Sequence, residues 1–291
     1  MRQSARIFFR RLRVLPLSVF LFLKNDSNEL RRKNKNILTF HKLKDFLEKG
    51  SAYYKAKYID LLGRDITSDA FTVGRALEDK LKLGEDWGDK YEVVARRGSE
   101  SEKEQLTKTQ GRQVEDGVFE LNVNPLFTYE PKNASQYISI EYQGMVVGGE
   151  IDELQLTPWK EHAGVIADIK TTKSLDSIRE YMPSYIKQLA FYQFLVEKKH
   201  GKRLPGLIKA VSKESVAKSE MFYASPDVLY EHRDWIERGI AELKNCTEKN
   251  LWGKLTWDVC RKHDDLWGLV KQDSFTILGN QKVYASTDLP F

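Results

Sequence analysis

Two short runs in which apolar and polar residues alternate, followed by a run with helical spacing, constrain this chain more than any other feature. The alternating runs are Met145–Leu156 and Val165–Thr171, and both read as strands. Thr157-Pro158-Trp159-Lys160 opens a turn between them and Gly164 closes it, so an antiparallel hairpin is the simplest arrangement. Side chains two apart on a strand share a face. Glu150 and Asp152 therefore point one way together, and Asp168 and Lys170 form a second such pair. If the hairpin pairs in register, three carboxylates and one ammonium converge, and Ile151 and Ile169 point to the opposite face, where a core can form. Like-charged carboxylates held close repel one another and raise a pKa, a penalty that a divalent cation removes. Oxygen-only donors suit Mg²⁺ or Mn²⁺ better than zinc. A lysine at such a place can orient or deprotonate water, or stabilise charge developing on a phosphate.

The third run is helical. Pro183 stands near its expected start, and Tyr185–Glu197 contains neither Gly nor Pro. Gln188 and Tyr192 are four apart and share a helical face, where they can line a site without carrying charge. The ordered set of Asp152 within Gly149-x-x-Asp152, then Asp168-x-Lys170 on a strand, then Gln188-x-x-x-Tyr192 on a helix resembles the PD-(D/E)XK nuclease superfamily. In style it is similar to RecB-like and RecE-like phage exonucleases. The resemblance spans roughly residues 70–200. It implies that Asp152 and the Asp168/Lys170 pair bind metal and activate water, with the Ile169 carbonyl as a further ligand. Gln188 and Tyr192 would flank the site and contact DNA. Such nucleases also carry a Gly-x-x-x-His/Glu segment whose last residue reaches the metal. Gly74-Arg75-Ala76-Leu77-Glu78 fits it, against the plainer reading of Glu78 as a solvated helix acid. Asp79 lies off that face. Asp168 stands where many members of the superfamily carry Glu, and its shorter reach bears on how a metal is held.

Composition sets limits around this core. Cys246 and Cys260 are the only cysteines, too few for a disulfide framework or a Cys₄ zinc or iron–sulfur site, and they favour a reducing compartment. The net charge is +5, but residues 1–35 hold ten Lys/Arg against two acids, a net of +8, so the remainder is about −3 (5 − 8). The body is not a generally basic nucleic-acid binder, and DNA affinity there would rest on local patches and metal ions. The apolar run Val14–Leu23 is too short to span a bilayer as a helix. Three readings of residues 1–35 stay open: a signal-like segment, an Arg-rich mitochondrial presequence, or a start assigned upstream of the true one.

Along the chain, Leu38, Phe40, Leu43 and Phe46 have roughly helical spacing around a Thr39 cap, and the aromatic and basic run Ser51–Tyr58 continues as the second member of a core-packing helix pair, with DNA contact as the alternative. Phe71–Leu81 reads as a helix with Thr72 or Ser68 as cap. A charged stretch follows, with a helix expected over Ser101–Glu115, broken at Asn124-Pro125. Tyr137–Tyr142 is a strand turning at Gln143-Gly144 into Met145. Leu207–Val211 and Glu220–Ala224 are further strands, and Ser225-Pro226-Asp227 caps a long helix, Val228–Asn245. Trp252, Trp257 and Trp267 suit packing onto the domain, with base stacking as the alternative. Cys260 and His263 have a zinc-like look without further nearby ligands.

The expected fold class is α/β, a mixed central β-sheet flanked by helices with a restriction-endonuclease-like core and the acids at one sheet edge. The expected organisation is a basic, flexible N-terminal extension (1–35), a PD-(D/E)XK nuclease domain (36–265) and a C-terminal tail (266–291). The expected activity is Mg²⁺-dependent hydrolysis of DNA phosphodiester bonds, with Mn²⁺ as a possible substitute. The resemblance implies an exodeoxyribonuclease on double-stranded ends in recombination, repair or end processing. The alternatives are an endonuclease or CRISPR-adaptation-type end-trimming nuclease of the same fold, or a catalytically degenerate DNA-binding module. Expected partners are double- or single-stranded DNA, a single-strand annealing protein and further copies of the chain, and no membrane. The expected location is the cytoplasm of a bacterium or phage-infected host, or the mitochondrion if the N-terminus is a presequence.

Overall fold

In a computed structural model the structure describes residues 37–62, 69–98, 101–124, 133–266, 275–278 and 281–284. The basic segment 1–35, the Ser68 cap and Trp267 lie outside the described residues. Helix α1 (Phe40–Lys49) follows Thr39, and α2 (Ser51–Tyr54) widens into a π turn over Lys55–Ile59. Phe40, Leu43, Phe46, Tyr53 and Tyr54 are buried, so this pair packs into the body as its spacing indicates. Helix α3 (Asp69–Leu83) and the short α4 (Trp87–Lys90) lead to β1 (Tyr91–Val94), which pairs in parallel with β2 (Glu104–Thr107) ahead of α5 (Lys108–Val123).

The β1–β2 pair corrects the helix expected over Ser101–Glu115. A run of charges has no period of its own. The helix start is fixed by a capping box, in which the Thr107 hydroxyl accepts from the Gln110 amide while Gln110 reaches back to the Thr107 amide. Upstream of that box, Leu106 is fully buried and draws the segment into a strand.

The main sheet has the order β3-β4-β5-β6-β7. Strands β3 (Ala134–Tyr142) and β4 (Met145–Gln155) form a hairpin closed by Gln143 and Gly144, both at positive φ (52° and 78°), as a two-residue turn requires. Strand β5 (Val165–Thr172) runs antiparallel to β4, and β6 (Gly206–Ser212) lies parallel to β5, joined through α6 (Leu175–His200). Strand β7 (Ser219–Ala224) completes the sheet. With β5 in the middle, the acids lie at the centre of the sheet and not at its edge. A parallel pair covered on both faces is mostly apolar, and β6 is buried at every residue, with Lys209 neutralised by Glu153.

Helix α6 begins at Leu175, well before Pro183. Ser174 caps it in a box with Ser177, and Ile178 is fully buried in its first turns, so the helix runs through the proline. Cations fill its last turn, and Gly201 ends it at φ 67°. The long helix expected over Val228–Asn245 is two helices, α7 (Pro226–Tyr230) and α8 (Arg233–Lys249), interrupted at Glu231-His232, and both Leu229 and Ile236 reach the core. Helix α9 (Trp257–Lys262) and a hairpin of β8 (Phe275–Leu278) and β9 (Gln281–Tyr284) follow. Cys260 is buried beside Tyr53 and Leu266, and His263 sets its ring against Tyr53 at 4.5 Å. Trp252 stacks on Tyr54. No described helix is long and apolar enough to cross a membrane.

The two faces of the sheet carry different cores. Helices α1, α6 and α8 cover one, with Ile151, Leu154, Ile166, Ile208, Phe191 and Ile240 buried together. Helices α3 and α5 cover the other, where Ile169 and Val211 meet Val73, Leu77, Val114 and Leu121. Ile151 and Ile169 therefore lie in different cores, against the expectation that they share one face. The cause is a slip in β4: Ile151 and Leu154 are three apart yet sit in the same core, which strict alternation forbids. Asp152 stands in that slip. Opposite it on β3, Ser135 has φ 48° and drops out of the ladder.

Candidate active site

The β4–β5 ladder pairs only Glu153 with Ala167, Leu154 with Ile166 and Gln155 with Val165. Beyond Glu153 the strands part, in a register that would next set Asp152 opposite Asp168. The parting is held open by a side chain: the Ile169 amide N–H donates to Asp152 Oδ2 at 2.9 Å instead of to a β4 carbonyl. Asp168, buried with 1% of its surface exposed, has Lys170 Nζ 2.7 Å from its Oδ2. The angle falls outside hydrogen-bond geometry, so Oδ2 is buried with an ion-pair neighbour but no aligned donor.

Glu78 arrives from the opposite face of the sheet. Helix α3 lies so close on β5 that a Cβ on Gly74 would come within 2.9 Å of Thr171 Oγ1. One turn beyond Gly74, Glu78 shares the electrostatic field of Asp152 and Asp168 through the seam between the strands. Burial, then Asp152, pushes its carboxyl up to about 8. Its side chain keeps 31% of its surface exposed, and solvent screening tempers that shift. Asp79, one residue on, binds Tyr91 Oη at 2.7 Å and Lys90, away from this cluster. Burial likewise raises Asp168, to about 6, with Lys170 pulling it down and Asp152 pushing it up. Burial alone would depress the Lys170 ammonium, but Asp168, Asp152 and Glu78 outweigh it and hold the pKa above the usual lysine range. Glu78, brought in by α3, acts on this cluster together with Asp152 and Asp168.

Gln188 and Tyr192 are both buried, and Gln188 Nε2 donates to Tyr192 Oη at 2.8 Å. The Tyr192 ring lies under Gly149, where a Cβ would meet it at 3.3 Å. Burial, then Asp168 and Asp152, holds the Tyr192 phenol well above its ordinary pKa, so it faces the acids. Two turns before Tyr192, the Tyr185 ring has Lys170 Nζ 5.3 Å from its centroid. His41 on α1 is a residue that periodicity did not single out. It keeps contact with solvent, yet burial among its neighbours, followed by the charge of Lys170, depresses its imidazole, as on the wall of a cleft. A lone histidine in an amphipathic helix carries no local signal of this.

Residues 40–263 match a family described as PDDEXK-like domain of unknown function (DUF3799). The chain belongs to this family. Among solved structures, it is similar to one from Eubacterium rectale described as "Putative exonuclease", at 18% identity and a TM-score of 0.56, over 75% of this chain and 84% of that one. At that identity the likeness shows the fold. A second solved structure, SSO0001, is 11% identical with a TM-score of 0.31, over 76% of this chain and 85% of that one, and carries no argument. No curated protein matches the chain. The PDDEXK-like assignment agrees with a mixed sheet whose central strand bears Asp168 and Lys170.

PDDEXK-like sites generally work with divalent metals, and the residues present here fit one. Three carboxylates act on one another against the ammoniums of Lys170 and Lys82, the Glu78 and Asp168 carboxyls stay raised all the same, and a buried Asp168 oxygen lacks an aligned donor. Among the described residues no three His, Cys, Asp or Glu side chains stand close enough for a closed cage. Hard cations of the Mg²⁺ type are commonly held by only one or two carboxylates, with water and substrate phosphate completing the shell.

Proposed function

We propose that this PDDEXK-like protein is a divalent-metal-dependent deoxyribonuclease, acting as an exonuclease on double-stranded DNA ends in recombination or end processing. The observation that carries the reading is the convergence of Asp152, Asp168, Lys170 and Glu78 at the parted β4–β5 seam, with Gln188 and Tyr192 beneath it. Asp152 and Asp168 would hold Mg²⁺ or Mn²⁺, with help from Glu78 and the Ile169 carbonyl. A bound cation would supply Lewis-acid stabilisation of the charge that builds on the phosphate during displacement.

The remaining chemistry belongs to the chain. Lys170, held as an ammonium by the carboxylates around it, donates a hydrogen bond to the attacking water or to a phosphate oxygen. Asp168 fixes the ammonium in place, and Asp152 is itself fixed by the Ile169 amide. Gln188 orients the Tyr192 hydroxyl beside the acids, and the pair presents hydrogen-bonding groups to water or phosphate without adding charge. The name of the E. rectale relative supports the exonuclease form of the reading. A single-strand annealing protein would take up the product strand, and the bacterial cytoplasm is the compartment that suits two unpaired cysteines.

End-labelled linear duplex and closed-circular DNA, each incubated with protein and Mg²⁺, test this. Mononucleotide release from linear DNA with the circle intact is the expected result. Nicking of the circle would replace exonuclease with endonuclease. DNA binding with no cleavage under Mg²⁺ or Mn²⁺ would overturn the enzyme and leave a degenerate binding module.

A further inference from the structure

We infer that Tyr181 and Tyr185 form a stacking platform for an unpaired base beside the scissile phosphate, so that the protein engages frayed or single-stranded ends in preference to paired ones. The inference rests on the nuclease reading above and deepens it. Residues 181, 185, 188 and 192 lie on one stripe of α6, spaced by four, three and four. Exposure falls along that stripe from 56% at Tyr181, through a half-buried Tyr185, to 6% and 7% at Gln188 and Tyr192. The stripe thus descends from solvent to the carboxylates. Its rings are linked in space as well as in sequence. Tyr181 and Tyr185 have centroids 6.3 Å apart at an interplanar angle of 37°, and Lys170 Nζ stands 5.3 Å from the Tyr185 centroid.

A single exposed aromatic residue is unremarkable on a protein surface. An exposed ring next to a second ring that touches the proposed water-positioning ammonium is placed one nucleotide step from a phosphate held there. Aromatic faces accept any unpaired base, because every base has a π-face, whereas bases stacked inside a duplex offer none. The body of the chain has a net charge of about −3 (5 − 8 for residues 1–35), so a platform that holds bases relieves the site of relying on backbone charge alone.

The test uses the full chain with Mg²⁺ and labelled duplex carrying a short unpaired end. A parallel substrate has abasic residues in place of the unpaired bases. Tyr181→Ala is expected to raise KM about ten-fold with kcat within about two-fold, the scale of one lost base–aromatic stack. Tyr181→Phe, which keeps the ring, restores the wild-type KM. The abasic end raises the wild-type KM to the level of Tyr181→Ala and leaves that variant unchanged. Wild-type cleavage with a KM that Tyr181→Ala does not alter, or an abasic penalty that persists in the variant, overturns the platform and leaves the nuclease standing. A wild type that cleaves neither substrate overturns the nuclease reading and the platform together.

Discussion

Asp168 is surrounded by protein on every side. Its nearest cation is misaligned for a hydrogen bond and its neighbouring acid raises its pKa. Asp168→Ala and Lys170→Ala should each reduce cleavage by about a hundred-fold or more, the scale of a lost preorganised charge at a reacting centre. The two differ in what accompanies the loss. Titration calorimetry should show weaker Mg²⁺ binding for Asp168→Ala, whereas Lys170→Ala should mainly lower single-turnover rates; near-native turnover in either variant would remove them from the site. Gln188 and Tyr192 bind each other inside the core, and in the proposed function they serve the site as well. Gln188→Ala is expected to slow single-turnover cleavage roughly ten- to a thousand-fold. Tyr192→Phe, which deprives the buried Gln188 amide of its acceptor, should cost about 1–3 kcal/mol in chemical denaturation.

The element that brings Glu78 to the acids is α3, and Gly74 sets how near it lies to β5. A methyl at position 74 would press on Thr171 Oγ1 and lift the helix at the turn before Glu78. Displacement of a catalytic group by about 1 Å can cost about a hundred-fold. Gly74→Ala should therefore lower cleavage by ten-fold or more while melting cooperatively, and adding Thr171→Ala should restore most of the rate. If the second change rescues nothing, the helix is not positioned through this contact. On the same face of the sheet, Lys209 Nζ binds both oxygens of the buried Glu153, at 2.7 and 2.9 Å, bridging β6 to β4 across β5. Lys209→Met alone should destabilise by about 3–5 kcal/mol, and Glu153→Leu added to it should recover much of that, since removing one partner strands the other. Urea denaturation of the single and double variants measures both.

For the molecule as a whole, the acid cluster links stability to pH and, in the proposed function, to metal. Glu78 and Asp168 have folded-state pKa values raised to about 8 and about 6, above the ordinary carboxyl range. The folded chain thus holds their protons more tightly than the unfolded chain. Their contribution to stability is fullest below the unfolded carboxyl pKa and is lost as pH rises through about 6 and then about 8. A cation seated among them relieves the repulsion and stabilises the folded state that binds it. Melting temperatures in chelator should fall as pH goes from 5 to 8.5, and the increment from Mg²⁺ should grow over the same range. An increment that is the same at both ends would mean the cation sits elsewhere.

The alternation of Met145–Leu156 and Val165–Thr171, the Gln143-Gly144 turn and the i, i+4 pair Gln188/Tyr192 were readable from sequence because each is a local rule of backbone geometry. They yielded the hairpin and the fold class, and they named Asp152, Asp168 and Lys170 as the candidate residues. The charged stretch before α5 was misread because charges have no period there, and only the burial of Leu106 makes a strand of it. The start of α6 turned on the burial of Ile178 in its first turns. The arrival of Glu78, the slip at Asp152 and the approach of His41 depended on the strands parting and on helices closing over opposite faces. Periodicity assigns a side chain to a face of its own element. Which elements share that face is decided by packing between segments distant in the chain, and that information resides only in the tertiary structure.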